Sequence, residues 1–233
     1  MTDAARAVVL AGGDLPAAEA LAGVLTELLA DGATLVVAAD SGLDHALALG
    51  LHVDVVVGDL DSASAEGQAA ARAAGSEFET HPTDKDATDL ELALRSARDR
   101  GARRVTVLGG GGGRHDHLLA NALVLASAEL VDLDLDALVG TARITVIRTR
   151  GELHGRPGAL CSLLPVGGVA HGVRTDGLRF PLHGEDLLPG STRGISNELL
   201  GTTATVTVAD GVLLAVQPHA LDPTPTRPTP EEV

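Results

Sequence analysis

The chain has 233 residues, of which 45% are hydrophobic and 1% aromatic, and its formal net charge is -15. That length suits one large domain or two small ones, with a core that must be built from Leu, Val and Ala. The acidic balance, with no basic stripe and no interleaved aromatics, excludes nucleic acid and anionic membrane as bulk partners, but leaves room for a nucleotide held locally by backbone amides, a few arginines and metal ions.

Residues 6–10 read as a short buried strand that ends at Gly12-Gly13-Asp14. Pro16 opens a helix in which Leu21, Val24, Leu25, Leu28 and Leu29 recur at helical spacing, and Gly32 stops it. Thr34 to Ala39 is the next strand, ending at Asp40-Ser41-Gly42, and after a short helix Val53 to Val57 is another, ending at Gly58-Asp59-Leu60-Asp61-Ser62. An Ala-rich helix covers about 64–74, and a strand near 76–80 leads into His81–Asp86. Thr88 and Glu91 form a capping box for a helix with Leu90, Leu94 and Ala97 on one face. Val105 to Leu108 is a strand that runs into the five glycines 109–113, and Arg114-His115-Asp116-His117 opens the helix after them. After about residue 140 helical periodicity gives way to β-like runs at 143–149, 159–164, 204–209 and 212–216, and Asp210-Gly211 between two of them is a hairpin signal. The expected fold class is α/β: a Rossmann-like parallel sheet flanked by helices over 1–140, then a smaller all-β domain over 141–220. The Pro-rich, charged tail 221–233 is expected to be disordered.

In parallel sheets of this kind ligands bind at the carboxyl ends of the strands. The Gly/Asp-rich segments 12–14, 40–42, 58–62, 83–86 and 109–117 all follow strands, so they are expected to converge on one edge. Asp59 and Asp61, at i and i+2 on an extended stretch, would point the same way and share a hard divalent cation, although a helix-capping turn explains the same string. Asp84, Asp86 and Asp89 crowd one strand end, where like charges are costly without a cation. Asp89 is the best third ligand, and Lys85 either neutralises the cluster or touches phosphate. Asp40 divides evenly between turn former and ligand contact. Gly112 and Gly113 let the backbone approach phosphate at a helix N-terminus, Arg114 favours an anion there, and His117 and Asn121 share a face of the helix with Asp116 nearby.

Several chemistries are excluded. The glycine run is neither a Walker A loop nor a dinucleotide fingerprint. No zinc-ligand spacing and no G-x-S-x-G elbow occurs. Cys161 is the only cysteine, so no intrachain disulfide or cysteine cluster can form. With no signal-peptide pattern and no apolar run of membrane-span length, a cytoplasmic protein is expected. The richness in Ala, Arg and Gly, with Lys85 as the only lysine, reads as compositional bias.

Taken in order, the segments Ala39–Gly42, Gly58–Ser62, Asp86–Glu91, Gly112–Asn121, Gly177–Leu182 and Ser196–Glu198 resemble the thiamine pyrophosphokinase (thiamine diphosphokinase) family. The resemblance implies a transferase that moves the diphosphate of ATP to the hydroxyl of thiamine, giving thiamine diphosphate and AMP. It implies an α/β catalytic domain, a C-terminal β-sandwich and a homodimer. Asp59, Asp61 and Asp89 would hold Mg²⁺, Arg114–Asn121 would line the nucleotide and reaction centre, and Ser196 and Asn197 would help form a thiamine pocket shared by two subunits. Arg114 would stabilise charge on the transferred group, and Asp116 would either accept the hydroxyl proton or hold metal. Leu92 stands where the family often has lysine, Ser41 where it often has a second glycine, and Phe180 where it often has a Trp against thiamine. Those departures leave open a related pyrophosphokinase acting on another hydroxymethyl substrate, such as a pterin. A nucleotide-binding regulator without catalysis is the other alternative, and the carboxylate cluster speaks against it.

Overall fold

Short runs of Val, Leu and Ala alternate with segments of helical period, and the chain folds accordingly. The computed structural model describes residues 6–30, 32–112 and 114–222. Residues 223–233, nearly all of the tail expected to be disordered, lie outside the described residues, as does Gly113. The first half runs β1 (Arg6–Leu10), α1 (Ala18–Leu28), β2 (Leu35–Ala39), α2 (Gly42–Ala48), β3 (Val55–Gly58), α3 (Ala65–Ala74), β4 (Glu77–Thr80), α4 (Asp89–Asp99), β5 (Arg104–Leu108), α5 (His115–Leu125) and β6 (Asp134–Val139). The strands pair in parallel in the order β4-β3-β2-β1-β5-β6.

Both faces of this sheet are covered, which explains why its strands read as continuous apolar runs. Ala7 and Val9 of β1 pack with Val37, Val57 and the α4 side chains Leu90, Leu94 and Ala97. Val8 and Leu10 point the other way, onto Leu21 of α1, Leu43 of α2 and Ala71 of α3. Helix boundaries follow local chemistry. Thr88 caps α4 by accepting from the Glu91 N–H at 3.3 Å, while the Glu91 carboxylate turns forward to Arg95 at 2.5 Å. Helix α1 begins at Ala18, two residues after Pro16.

Strand β6 was not anticipated, because Asp134 and Asp136 interrupt its apolar pattern. Asp136 is accommodated by the Thr106 hydroxyl, which donates to it at 2.8 Å, with Arg143 at 3.9 Å. Burial still pushes its carboxyl above the usual carboxylate range, with Arg143 and Thr106 opposing.

The second half contains β7 (Ala142–Ile147), β8 (Arg150–His154), β9 (Leu160–Pro165), β10 (Ala170–Asp176), β11 (His183–Leu187), β12 (Asn197–Glu198), β13 (Thr203–Thr207) and β14 (Leu213–Gln217). Strand β7 folds back antiparallel on β6, so one sheet continues across residue 140, where the sequence changes character. With β14, β9 and β12 added it has ten strands, and a separate antiparallel sheet runs β11-β10-β13-β8. Ile147, Leu163 and Leu213 from the first sheet and Leu153, Val173 and Val206 from the second fill one common core.

The hairpin expected at Asp210-Gly211 does not form. Strand β13 pairs with β8 and β10, whereas β14 pairs with β7 and β9, so this turn carries the chain from one sheet to the other. Gly211 has the positive φ of 95° that the dipeptide suggested. The flanking runs each bury one face in the shared core, and they do so from opposite sides. At the start of the expected tail, Leu221 is anchored, its N–H donating to Thr141 O at 3.0 Å.

Candidate active site

Strands β1 to β4 step outward in one direction, and the chain then returns to lay β5 against the other side of β1. Helices α1 and α5, which follow β1 and β5, pack on opposite faces of the sheet, and a crevice opens at the carboxyl edge where the strand order reverses. The loops leaving β1 and β5 are tied together: Asp14 N–H donates to Gly111 O and Gly110 N–H to Gly12 O, both at 2.8 Å. A Cβ on Gly13 would collide with the Gly111 carbonyl. The crevice is a cleft of about 630 Å³ walled by residues 11–14, 39–41, 59, 61, 62, 88–90 and 110–112, with Arg114, His117 and Asn121. Four of the five strand-end segments thus converge as expected. The fifth, 83–86, takes part through Lys85.

Three carboxylates meet here: oxygens of Asp40, Asp59 and Asp89 all lie within 4.8 Å of one another. Asp40 sits at φ 48°, is 8% exposed, and has an Oδ1 buried without a partner, while its Oδ2 accepts from the Ser62 hydroxyl. Gly58 makes the approach possible. It has φ 141°, and a Cβ there would stand 2.8 Å from Asp89 Oδ1 and 3.3 Å from Asp40 Cβ. Lys85 Nζ lies 3.0 Å from Asp59 Oδ2 and 2.9 Å from Asp89 Oδ1. Its hydrogen bond holds the Asp59 carboxyl below the usual range, against the opposing effect of burial. Burial by itself lowers the Lys85 ammonium, but the contacts to Asp89 and Asp59 outweigh it and raise the pKa.

This donor set fits a hard divalent cation: carboxylate oxygens only, one of them orphaned, packed more closely than like charges tolerate alone. Asp61 lies differently from Asp59. Leu60 between them has φ 66°, so the stretch is not extended, although the Asp61 carboxylate still lies close enough to act on that of Asp59. Asp61 is exposed on the cleft wall and accepts from the Ser62 hydroxyl at 3.0 Å. Asp40, which the sequence left divided between turn former and ligand contact, joins Asp59 and Asp89 in the trio.

On the opposite wall, Gly112 has φ 84°, and a Cβ there would strike the Asp14 carboxylate. Arg114 stands at the N-cap position of α5 without a side-chain cap and faces the cleft, and its guanidinium is tied to Asp116, Nη2 to Oδ2 at 2.5 Å and Nε to Oδ1 at 3.2 Å. That pairing, opposed by slight desolvation, draws the Asp116 carboxyl down to about 2, which makes it a poor proton acceptor at neutral pH. Asp116 is absent from the cleft wall, whereas His117 and Asn121 are on it. Asn121 Nδ2 donates to Gly110 O at 3.0 Å and so holds the glycine loop in place.

Phe180, Ser196 and Asn197 line none of this cleft. They form a separate group in the β region. Buried Asn197 accepts from the Phe180 N–H at 3.0 Å and donates to Phe180 O at 2.7 Å; Phe180 is 52% exposed, with the Arg179 guanidinium 5.4 Å from its ring centroid. Ser196 has φ 56°, and its N–H donates to Ser162 Oγ at 3.1 Å. Lys85 neutralises the cluster, one of the two roles its sequence position suggested, whereas Asp14 is a wall residue that the sequence did not single out. Asp14 lay in a strand-end segment already singled out, but nothing local marked its carboxylate.

Residues 26–135 match the family model described as thiamin pyrophosphokinase, catalytic domain, and residues 144–213 match thiamin pyrophosphokinase, vitamin B1 binding domain. The chain belongs to the thiamin pyrophosphokinase family. The thiamine pyrophosphokinase of Bacillus subtilis (strain 168) is 27% identical over 187 residues, covering 79% of this chain and 87% of that protein. A crystal structure of the Bacillus subtilis enzyme superimposes with a TM-score of 0.77 at 24% identity, over 91% of this chain and 98% of the other. The Geobacillus thermodenitrificans structure gives 0.73 at 25% identity, over 91% and 96%. Two departures from the family pattern have structural explanations. Leu92 packs against the core and lines no part of the cleft. Ser41 Oγ fills the space that a side chain on Gly12 would need.

Proposed function

We propose that this chain is a thiamine diphosphokinase that transfers the diphosphate of ATP to the hydroxyl of thiamine, releasing AMP. The observation that carries the reading is the trio Asp40, Asp59 and Asp89 facing a glycine loop and a helix N-terminus across one cleft, in a chain of this family. The trio would hold a divalent cation, assigned as Mg²⁺, with Asp61 on the same cleft wall. That cation supplies charge neutralisation to the polyphosphate and the AMP leaving group.

The chain's own residues do the positioning, which is most of the work in phosphoryl transfer. Gly110–Gly112 bring backbone close to the nucleotide, and the first N–H groups of α5 favour phosphate. Arg114 neutralises charge on the transferred group, and Asn121 keeps the loop in register. His117 contacts the nucleotide from the same helix. The Arg114 partner Asp116 orients the guanidinium and is not the base. The Phe180 ring, fixed by Asn197 beside Ser196, stacks on the cationic thiazolium or its pyrimidine.

Because the Phe180 group lies off the cleft of its own chain, we assign it to the acceptor site of a homodimer. We read the two regions as a Rossmann-like catalytic domain and a β-sandwich, divided near 140. No helix of the described residues is long and apolar enough to cross a membrane, and a cytoplasmic location is part of the proposal. The test is AMP formation from ATP and a divalent cation, with thiamine or a hydroxymethyl pterin as acceptor. Thiamine-dependent AMP is expected. AMP only with the pterin would overturn the acceptor, and none with either would overturn the activity.

A further inference from the structure

Lys85 is the only lysine of the chain, and its other Lys/Arg positions are all arginine. Its ammonium lies 3.0 Å from Asp59 and 2.9 Å from Asp89, with the side chain 14% exposed. It therefore bridges two of the three carboxylates assigned above to a divalent cation. The third, Asp40, keeps a buried oxygen with no partner, and Asp89 Oδ1 has no aligned hydrogen bond despite its ion pair. A cation shared by all three acids and an ammonium on two of them would be positive charges a few ångströms apart competing for the same oxygens.

We propose that Lys85 is a displaceable counter-ion: it neutralises Asp59 and Asp89 while the cleft holds no nucleotide, competes with the divalent cation for them, and is released to the polyphosphate when cation and nucleotide arrive together. The inference rests on the cation reading of the trio. Lysine suits such a role better than arginine, because it is a point charge on a flexible stem rather than a rigid fork that grips carboxylates. Its setting allows movement: Lys85 follows the exposed residues Pro82, Thr83 and Asp84 on the connection between β4 and α4, so displacement disturbs no core packing. Cation and nucleotide should then bind with positive coupling, each favouring the state the other needs.

Two measurements on the full chain test this. An amine-reactive acylating reagent can modify one ε-amine only, with the α-amine as internal control. Labelling of Lys85, read by peptide mass spectrometry, should accelerate several-fold when Mn²⁺ is added without nucleotide. Independently, Mn²⁺ binding followed by electron paramagnetic resonance without nucleotide should be on the order of tenfold tighter in Lys85→Gln than in wild type. Lys85→Arg should bind no more tightly than wild type. Circular dichroism establishes that each variant is folded, and Lys85→Met repeats the test should the Gln variant be unfolded. If Mn²⁺ binds in a manner lost in Asp59→Asn, but Lys85 labelling and the Lys85→Gln affinity are unchanged, the counter-ion role is overturned and the cation reading stands. An Arg variant that binds as tightly as the Gln variant also overturns it, since charge is then not the agent. If no Asp59-dependent Mn²⁺ binding occurs with or without ATP, the cation reading fails and this inference with it.

Discussion

The acidic edge of the parallel sheet and the Phe180 group of the β region are built on opposite plans. At the acidic edge the reactive side chains are held by backbone that is itself constrained. Asp40 and Leu60 occupy the left-handed region, and Gly58 has a φ open to few other residues. Carboxylates converge there because strands β1, β2 and β3 end side by side and α4 starts beneath them. In the β region one buried amide, Asn197, clamps the Phe180 backbone at both its N–H and its C=O, and the ring is left facing solvent. The first site is closed on its own chain and costs strain. The second presents a half-exposed ring at the surface, with the Arg179 guanidinium 5.4 Å from its centroid.

The contrast breaks most sharply at the acids. Asp59→Asn or Asp89→Asn should lower thiamine-dependent AMP formation by at least about a hundredfold, the scale of losing a charge-stabilising cation, with the circular dichroism spectrum unchanged. Near-normal turnover in either would remove the trio from the mechanism. Gly58→Ala probes the strain. The added Cβ meets Asp89 at 2.8 Å at a φ of 141°, so urea unfolding should show a loss of about 1–3 kcal/mol together with a large fall in kcat. In the β region Asn197→Ala should cost about 1–3 kcal/mol by leaving the Phe180 backbone groups unpaired, and should raise the KM for thiamine more than the KM for ATP.

Phe180→Ala, at an exposed ring, should leave the urea midpoint nearly unchanged while raising the thiamine KM several-fold. Phe180→Trp should lower it, since indole is the better partner for a cation. Equal KM values for all three side chains would place the acceptor elsewhere. The smallest effect is expected in the core shared by the two sheets. Burial raises the Cys161 thiol from 9.0 to about 11. Stability from the protonated thiol is complete below pH 9.0 and is lost as pH rises through about 11. Iodoacetamide at neutral pH should therefore leave the folded protein unmodified and react only after denaturation.

Much of the α/β half was legible because its signals are local. Buried strands announce themselves as apolar runs, α4 by Thr88 and its spacing, and the start of α5 by the glycines before it. What failed did so where a distant partner decides. Strand β6 is hidden by Asp136, whose burial is tolerable only beside Thr106 and Arg143. The Asp210-Gly211 turn has the expected φ, yet it joins two sheets because the flanking runs bury their faces from opposite sides. Asp59 and Asp61 are joined by a left-handed residue rather than an extended stretch, and Asp40 reaches Asp59 and Asp89 from a different strand.

The sequence by itself determined which segments are strands and helices from β1 to α5, that polar loops follow the strands, and which family the ordered motifs resemble. Periodicity, caps and glycines act over a few residues and can be read along the chain. Only the tertiary structure decided which acids share a locus, that Lys85 bridges two of them, that one sheet continues across residue 140, and that Phe180 stands apart from the cleft. Each of these depends on atoms brought together from distant parts of the chain, and carboxylates interact at a distance set by strand order and backbone φ rather than by their separation in sequence.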